Sequence, residues 1–330
     1  VWYYDINEDK FEHNHQYLVQ SYAIDISSPV NEELNEGGFS LGIDSNVFTF
    51  DVCYPTTTVT RPSDGLYYNN ALTQITGTAV DSPAGIGSIS ISISESTSSW
   101  SWNGSTFSAS EEQWHSVTTT TLPGYWYYSG VTYQHGLSYK TRTRGTDKAG
   151  NQEILRSSIT FTYDIMKPTS VITLPISSGY YNNTTNKLLN ISGTATDSLA
   201  GVSMVKFSIK EVGGSGLWWK QSSTTFSATS EEFLDMTYSG SDGVWVSTAP
   251  VLQDNHQYLV KMKAYDNAGN EEVLGTGKQF TYDKTEPDSY IQRPTLTGYN
   301  SLTTISGTGY DNVSLSKVKL SVQELGNNSW

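Results

Sequence analysis

Two observations predict an all-β chain built from tandem copies of one sandwich module. The first is internal repetition with a period of roughly 115 residues. Ile75-Thr76-Gly77-Thr78 returns as Ile191-Ser192-Gly193-Thr194 and as Ile305-Ser306-Gly307-Thr308, and an aspartate follows each run, at Asp81, Asp197 and Asp311. Phe48-Thr49-Phe50-Asp51 returns as Phe161-Thr162-Tyr163-Asp164 and as Phe280-Thr281-Tyr282-Asp283, each run reaching a proline four residues later, at Pro55, Pro168 and Pro287. The second observation is strict period-two alternation, the mark of a strand with one buried face. Ile89, Ile91 and Ile93 alternate with serine, and one module later the same positions are Val205, Phe207 and Ile209, then Val318, Leu320 and Val322.

The period divides the chain into residues 1–55, the second half of a module; complete modules at 56–168 and 169–287; and residues 288–330, the first half of a module. Trp2 aligns with Trp126 and Trp245, and Tyr17 with Tyr139 and Tyr258. At the other end Glu324 aligns with Glu211 and Trp330 with Trp218. The run Tyr258–Ala264 alternates and leads into Asp266, while Gly, Asn and Asp supply the turns between strands. About seven strands per module fit a β-sandwich with Greek-key connections. Residues 27–42 interrupt the first partial module and read as an enlarged acidic loop. Two half-modules leave apolar strand faces uncovered, so residues 288–330 and 1–55 are expected to be completed by further modules, either in a longer polypeptide or, as the less favoured reading, head to tail between copies. The chain begins at a valine inside a strand-like run and reads as a segment of a longer protein.

Composition narrows the function. Asp and Glu number 33 against 19 Lys and Arg, for a net charge of −14, and no basic stripe exists to hold phosphates, so nucleic acid is not an expected partner. No run approaches the roughly 18 apolar residues of a membrane helix, so no membrane insertion is expected in this segment. Cys53 is the one cysteine, which rules out a disulfide within the chain.

The segment Tyr258 … Ala264-Tyr-Asp266-Asn-Ala268-Gly269-Asn270 … Phe280-Thr-Tyr-Asp283-Lys-Thr-Glu-Pro287 resembles the end of a bacterial Ig-like (Big-type) repeat, and Tyr139 … Asp147-Lys-Ala149-Gly150-Asn151 matches as well. Tyr17 … Asp25 matches less fully, because Ala-Gly-Asn is missing there. The resemblance implies tandem Ig-like Greek-key β-sandwiches, similar to cadherin and fibronectin type III modules, arranged end to end as a rod. It implies a place in a large surface adhesin, stalk or extracellular filament, hence an extracellular or cell-surface location. Tyr17, Tyr139 and Tyr258 read as tyrosine corners, whose hydroxyl bonds nearby backbone.

In an Ig-like sandwich the first strand starts at the same end as the loop after the second strand and the loop between the last two. That brings aspartates of different origin to each module junction: Asp51, Asp81 and Asp147 at 55/56; Asp164, Asp197 and Asp266 at 168/169; Asp283 and Asp311 at 287/288. Calcium takes six to eight oxygen ligands, and such sites suit it. Inter-module calcium that stiffens a rod is what the resemblance to cadherins and Ig-like adhesins implies. The alternative is that each aspartate caps a turn or a strand end.

Trp126, Trp245 and Trp2 precede strands and are expected in the core. Trp100, Trp102, Trp218, Trp219 and Trp330 fall in a Gly/Ser-rich hairpin and are expected on the surface, where they would seal contacts with neighbouring modules or, in the alternative reading, hold surface glycans as carbohydrate-binding modules do. Enzyme chemistry has no foothold. The histidines show no recurring ligand spacing, no nucleophile or phosphate-loop motif occurs, and Glu111-Glu112 and Glu231-Glu232, read as neighbours on a strand, would face opposite ways.

Overall fold

The computed structural model describes residues 2–21, 23, 26, 45–120, 124–240 and 243–325, so the expected acidic loop at 27–42 and Trp330 lie outside the described residues. Among the described residues strands make up the regular structure, with one 3₁₀ turn at Glu8–Lys10. Two compact units emerge, Val1–Ile165 and Met166–Trp330.

In the first unit, one sheet runs in the order Thr118–Thr119, Tyr125–Ser129, Gln74–Val80, Thr56–Arg61. The facing sheet runs Tyr67–Tyr68, Ser158–Tyr163, Ser138–Asp147, Ile86–Glu95, Ser101–Trp102, Phe107–Ala109. The short strand Tyr67–Tyr68 pairs parallel with Ser158–Tyr163, so the chain crosses from one sheet to the other straight after its first strand. The second unit repeats this order. Thr237–Tyr238, Val244–Thr248, Asn190–Thr196 and Thr169–Leu174 form one sheet. Gly179–Tyr181, Lys278–Tyr282, His256–Asp266, Val202–Glu211, Trp218–Lys220 and Thr225–Ala228 form the other. This is the strand order of an Ig-like sandwich, and it follows from the alternation: one side of each strand is apolar and is buried by facing the other sheet.

The inner faces fall where period two puts them. Ile89, Ile91 and Ile93 are buried, as are Val205, Phe207 and Ile209. All ten residues of Ser138–Asp147 alternate between partial and full burial. Trp126 and Trp245 enter the cores as expected. The glycine of the Ile-Thr-Gly-Thr run has a steric cause. Gly77 pairs directly with Trp126, and a Cβ at Gly77 would sit 2.1 Å from both Thr58 O and the Trp126 ring. The three tyrosine corners form: Tyr17, Tyr139 and Tyr258 each accept a backbone N–H five residues upstream, from Glu12, Gln134 and Gln253, at 2.7, 2.7 and 2.8 Å. A second set of hydroxyl locks, which the sequence reading missed, joins Tyr68 to Ser63 N and Tyr181 to Ile176 N at 2.8 Å each.

Three tryptophan expectations are corrected. Trp102 and Trp219 are only 2% and 6% exposed. The hairpin that carries them turns every second side chain inward, and they pack at 5.2 Å on Phe107 and Phe226 respectively. Trp100 stays exposed, and Lys210 and Lys261 lie over the Trp218 ring. Trp2 is 73% exposed, because the described part of residues 1–55 forms only a two-stranded sheet, Gln16–Gln20 with Ser45–Thr49, with no facing sheet to cover it. Residues 288–325 likewise form one two-stranded sheet, Asp288–Arg293 with Ser306–Tyr310, and Val318, Leu320 and Val322 are exposed.

The two complete sandwiches differ inside. Tyr139, Thr141, Thr143 and Gly145 line the first core where Tyr258, Val260, Met262 and Ala264 line the second. The Thr141 hydroxyl is fully buried and has no hydrogen-bond partner. Valine has the same shape without the unmet donor, so Thr141→Val is expected to raise unfolding free energy by about 1–2 kcal/mol in chemical denaturation, with an unchanged denaturant slope.

Candidate metal centre

Antiparallel pairing sets the geometry. Thr56 pairs with Val80, and Asp147 with Ile86, so the start of the first strand, the turn after Val80 and the end of Ser138–Asp147 meet at one edge of the first unit. Asp51, Asp81 and Asp147 come from these three segments. Their side chains each offer a carboxylate oxygen within 4.8 Å of the others. Two oxygens bound to one calcium at 2.3–2.6 Å can stand at most about 4.6–5.2 Å apart, so this spacing admits a shared ion.

Each carboxylate also organises its own loop. Asp51 accepts Cys53 N on Oδ1 at 2.9 Å and Ala84 N on Oδ2 at 3.0 Å. Asp81 Oδ2 accepts Gly85 N at 2.9 Å. Asp147 accepts the Asn151 backbone N–H on Oδ1 and its amide on Oδ2, both at 2.8 Å, and the same amide lies 3.0 Å from the Asp51 carbonyl. The turn-cap reading is therefore realised at all three positions. It does not account for Asp81 Oδ1, which is buried and has no hydrogen-bond partner. Burial, reinforced by the negative charges of Asp51 and Asp147, pushes the Asp81 carboxyl above its ordinary value, against the Gly85 N–H that favours the charged form. An all-oxygen donor set with one orphaned buried oxygen fits a hard divalent cation.

The second unit repeats the loops. Asp197 Oδ1 accepts Leu199 N and Gly201 N at 3.0 and 2.9 Å. Asp266 accepts the Asn270 N–H and amide at 2.8 and 2.7 Å. Asp164, fully buried in the first unit, donates its N–H to Tyr68 O at 2.8 Å and lies 3.2 Å from His135 Nδ1. Asp283 donates to Tyr181 O at 2.9 Å and caps Thr285 N, while Asp311 caps Val313 N and Ser314 N. Among the described residues neither Asp283 nor Asp311 joins a group of three candidate ligands.

Two recurring features escaped the sequence reading. His13 and His135 occupy one module position, and each presents Nδ1 to the amide after the linker aspartate, Val52 N and Ile165 N, at 3.4 Å. The third occupant, Asp254, accepts Lys284 N at 2.8 Å, a bond that holds its carboxyl below the ordinary value. The histidine spacing thus does recur, as a linker cap. His13, Asp51 and Cys53 also offer three mutually close donor atoms. The second feature is a clamping glutamate, buried in the first unit and half-buried in the second. Glu153 accepts Thr57 N, Thr57 Oγ1 and Gly145 N at 2.8, 2.6 and 3.0 Å. Glu272 accepts Ser170 N, Ser170 Oγ and Ala264 N at 2.7, 2.6 and 2.8 Å. The period carries its signal, since a glutamate stands two residues beyond Asn151 and Asn270 alike. The paired glutamates 111–112 and 231–232 lie in irregular segments rather than on a strand. Glu112 meets Arg142, and Glu231 meets Ser208 and Lys261.

No protein-family profile matches the chain, and no curated protein matches it in sequence. Solved structures with a similar path include a 1.5-MDa bacterial ice-binding adhesin, at 14% identity and a TM-score of 0.32, covering 72% of this chain and 69% of that one. Three N-terminal domains of the bacteriophage RB49 Highly Immunogenic Outer Capsid protein match at 9% identity and a TM-score of 0.34, covering 84% and 96%. Protocadherin Gamma B2 extracellular cadherin domains 1–5 match at 11% identity and a TM-score of 0.24, covering 84% and 47%. Scores this low carry no argument about function, and the sandwich assignment rests on the strand order itself. Among the described residues no helix is long and apolar enough to cross a membrane.

The raised Asp81 carboxyl has a definite pH signature. A carboxyl that holds its proton more tightly folded than unfolded adds stability as pH falls, from its raised folded value down to the unfolded value of 3.8. Above that window the full charge repulsion remains. In chelator at pH 7, Asp81→Asn is expected to raise the melting temperature, since an amide keeps an acceptor for Gly85 N and turns a donor toward Asp51 and Asp147. The same variant should lose the gain in stability expected of the wild type from this carboxyl as pH falls from neutral toward 3.8, measured by thermal unfolding.

Proposed function

We propose that this chain is a non-enzymatic structural array of Ig-like modules in an extracellular or cell-surface protein, an adhesin, stalk or filament, whose junction carboxylates bind calcium. One observation carries the proposal: Asp51, Asp81 and Asp147, from segments far apart in sequence, converge with a buried Asp81 oxygen left unpartnered. Three carboxylates in contact repel one another, and a divalent cation would offset that repulsion. Asp51 lies in the segment leading into Pro55, whereas Asp81 and Asp147 belong to the module that follows. An ion held by all three would lock that linker onto the next module and oppose bending. By the sequence period, Asp164, Asp197 and Asp266 form the second proposed set, and Asp283 and Asp311 part of a third.

The proposed partners are further modules of the same kind, in the same polypeptide or in neighbouring copies. Exposed apolar residues support a need for such covering: Leu18 and Val47 of the two-stranded sheet in residues 1–55, and Val318, Leu320 and Val322, which the sequence places on a strand and which here lie outside any strand.

Calorimetry of the 330-residue chain with calcium or chelator tests the proposal. Saturating calcium, at 100 times the dissociation constant, is expected to add about 2.7 kcal/mol of stability, and Asp51→Asn or Asp147→Asn should abolish the gain. Electron microscopy should show straighter particles with calcium than with chelator. No thermal shift and no change in straightness would leave the aspartates as turn caps only.

A further inference from the structure

The one cysteine of the chain lies against a histidine, at the linker that leads into the first complete module. Cys53 Sγ is 3.4 Å from His13 Nε2, and the other nitrogen of that ring, Nδ1, is 3.4 Å from Asp51 Oδ1. A thiol, an imidazole and a carboxylate thus offer donor atoms within 4.8 Å of one another. His13 comes from the turn before Gln16–Gln20, and Asp51 and Cys53 from the segment after Ser45–Thr49. The antiparallel pairing of those two strands, Gln16 opposite Thr49, brings the three together.

Capping of the linker does not explain the thiol. His135 takes the place of His13 in the next module and presents Nδ1 to Ile165 N at the same 3.4 Å, yet the period puts Met166 where Cys53 stands. At the third linker Asp254 and Thr285 hold these positions, and the Thr285 hydroxyl bonds the Asp254 carboxylate at 2.7 Å. The linker is capped in all three places, and a thiol is present in one.

The donor types select the ion. Zinc takes cysteine sulfur at about 2.3 Å and histidine nitrogen at about 2.0–2.1 Å, so two such ligands at a tetrahedral angle stand about 3.5 Å apart. The Sγ–Nε2 separation meets that spacing. Nδ1 then carries the ring proton and turns it to Asp51 Oδ1, an outer-shell carboxylate of the kind that fixes a metal-bound imidazole. The Asp51 side chain is fully buried, whereas the His13 side chain is 36% exposed and Cys53 is exposed. The orienting group is therefore held rigidly, and the ligands are open to an entering ion. Calcium is selected against here, because it takes oxygen donors and not sulfur or nitrogen. The two ions need not share an oxygen. Asp51 directs Oδ2 to Ala84 N, beside Asp81, and Oδ1 to Cys53 N and the His13 ring.

We propose that His13 Nε2 and Cys53 Sγ form a zinc site, with Asp51 orienting the imidazole and the remaining coordination positions open to water or to a donor from another molecule. The site is separate from the junction calcium of the proposed function and stands or falls without it.

The test adds cobalt(II), a spectroscopic stand-in for zinc, to the reduced 330-residue chain. One equivalent is expected to bind with a sulfur-to-cobalt charge-transfer band, which zinc then displaces. Cys53→Ser should abolish the band, and His13→Gln should weaken zinc binding at least about tenfold; both side chains lie at the surface, so these variants keep the fold. Asp51→Asn should retain the band while lowering affinity about tenfold, the scale of a lost outer-shell partner. Asp81→Asn and excess calcium should each leave the band in place, since neither touches the sulfur or the imidazole. Absence of the band at about 1 mM cobalt, far above the range of a micromolar site, overturns the proposal. So does zinc binding that Cys53→Ser and His13→Gln both leave unchanged. A band that forms only at one cobalt per two chains also overturns it, by placing the thiolates of two copies on one ion.

Discussion

A glutamate clamp, buried at Glu153 and half-buried at Glu272, holds each complete sandwich in register. Glu153 and Glu272 each take an N–H and a hydroxyl from the first strand and an N–H from the strand that follows the tyrosine corner. A carboxylate that receives three donors has its desolvation offset, and losing it would strand those donors in a buried place. The consequence is positional. With the first strand fixed against the end of Ser138–Asp147, the residues just before it must pass beside Asp81 and Asp147, and Asp51 is among them. The carboxylate cluster is thus a product of the clamp, and the Asn151 amide, shared by Asp51 O and Asp147 Oδ2, finishes the same seam.

Much of this was legible in the sequence because a period reports geometry twice. Isoleucines alternating with serines give a strand with one apolar face, and the same positions one module on repeat the face by holding Val, Phe and Ile. The tyrosine at the start of each penultimate strand is likewise readable, since its hydroxyl needs a nearby backbone donor, whereas the glycine of the repeated run shows its reason only once Trp126 is seen to face it. The candidate aspartates of the first unit were found by asking which loops share an end of the sandwich. What they bind was not legible, because capping a turn and ligating an ion use the same oxygens.

The failures have a common origin in facing partners. Trp102 and Trp219 sit among glycines and serines and look exposed, yet burial is decided by hairpin register and by Phe107 and Phe226 on the other arm. Trp2 looks like Trp126 but lacks the sheet that would cover it. His13 and His135 escaped notice because their partners, the amides after Asp51 and Asp164, are some 30–40 residues away and carry no side-chain signature. Glu153 and Glu272 read as surface charge in a loop until the first strand folds over them.

The unlike cores of the two sandwiches bear on how the chain escapes its own repetition. Neighbouring repeats of similar sequence are prone to strand exchange while they fold, each accepting the other's segment. Here the trade is penalised in both directions. Ser138–Asp147 placed in the second sandwich would set the hydroxyls of Thr141 and Thr143 where the apolar Val260 and Met262 belong. His256–Asp266 placed in the first would drive the longer Met262 side chain into the space that Thr57 and Thr143 share. Divergence inside a constant strand order thereby acts as an address, directing each strand back to the module in which it was encoded.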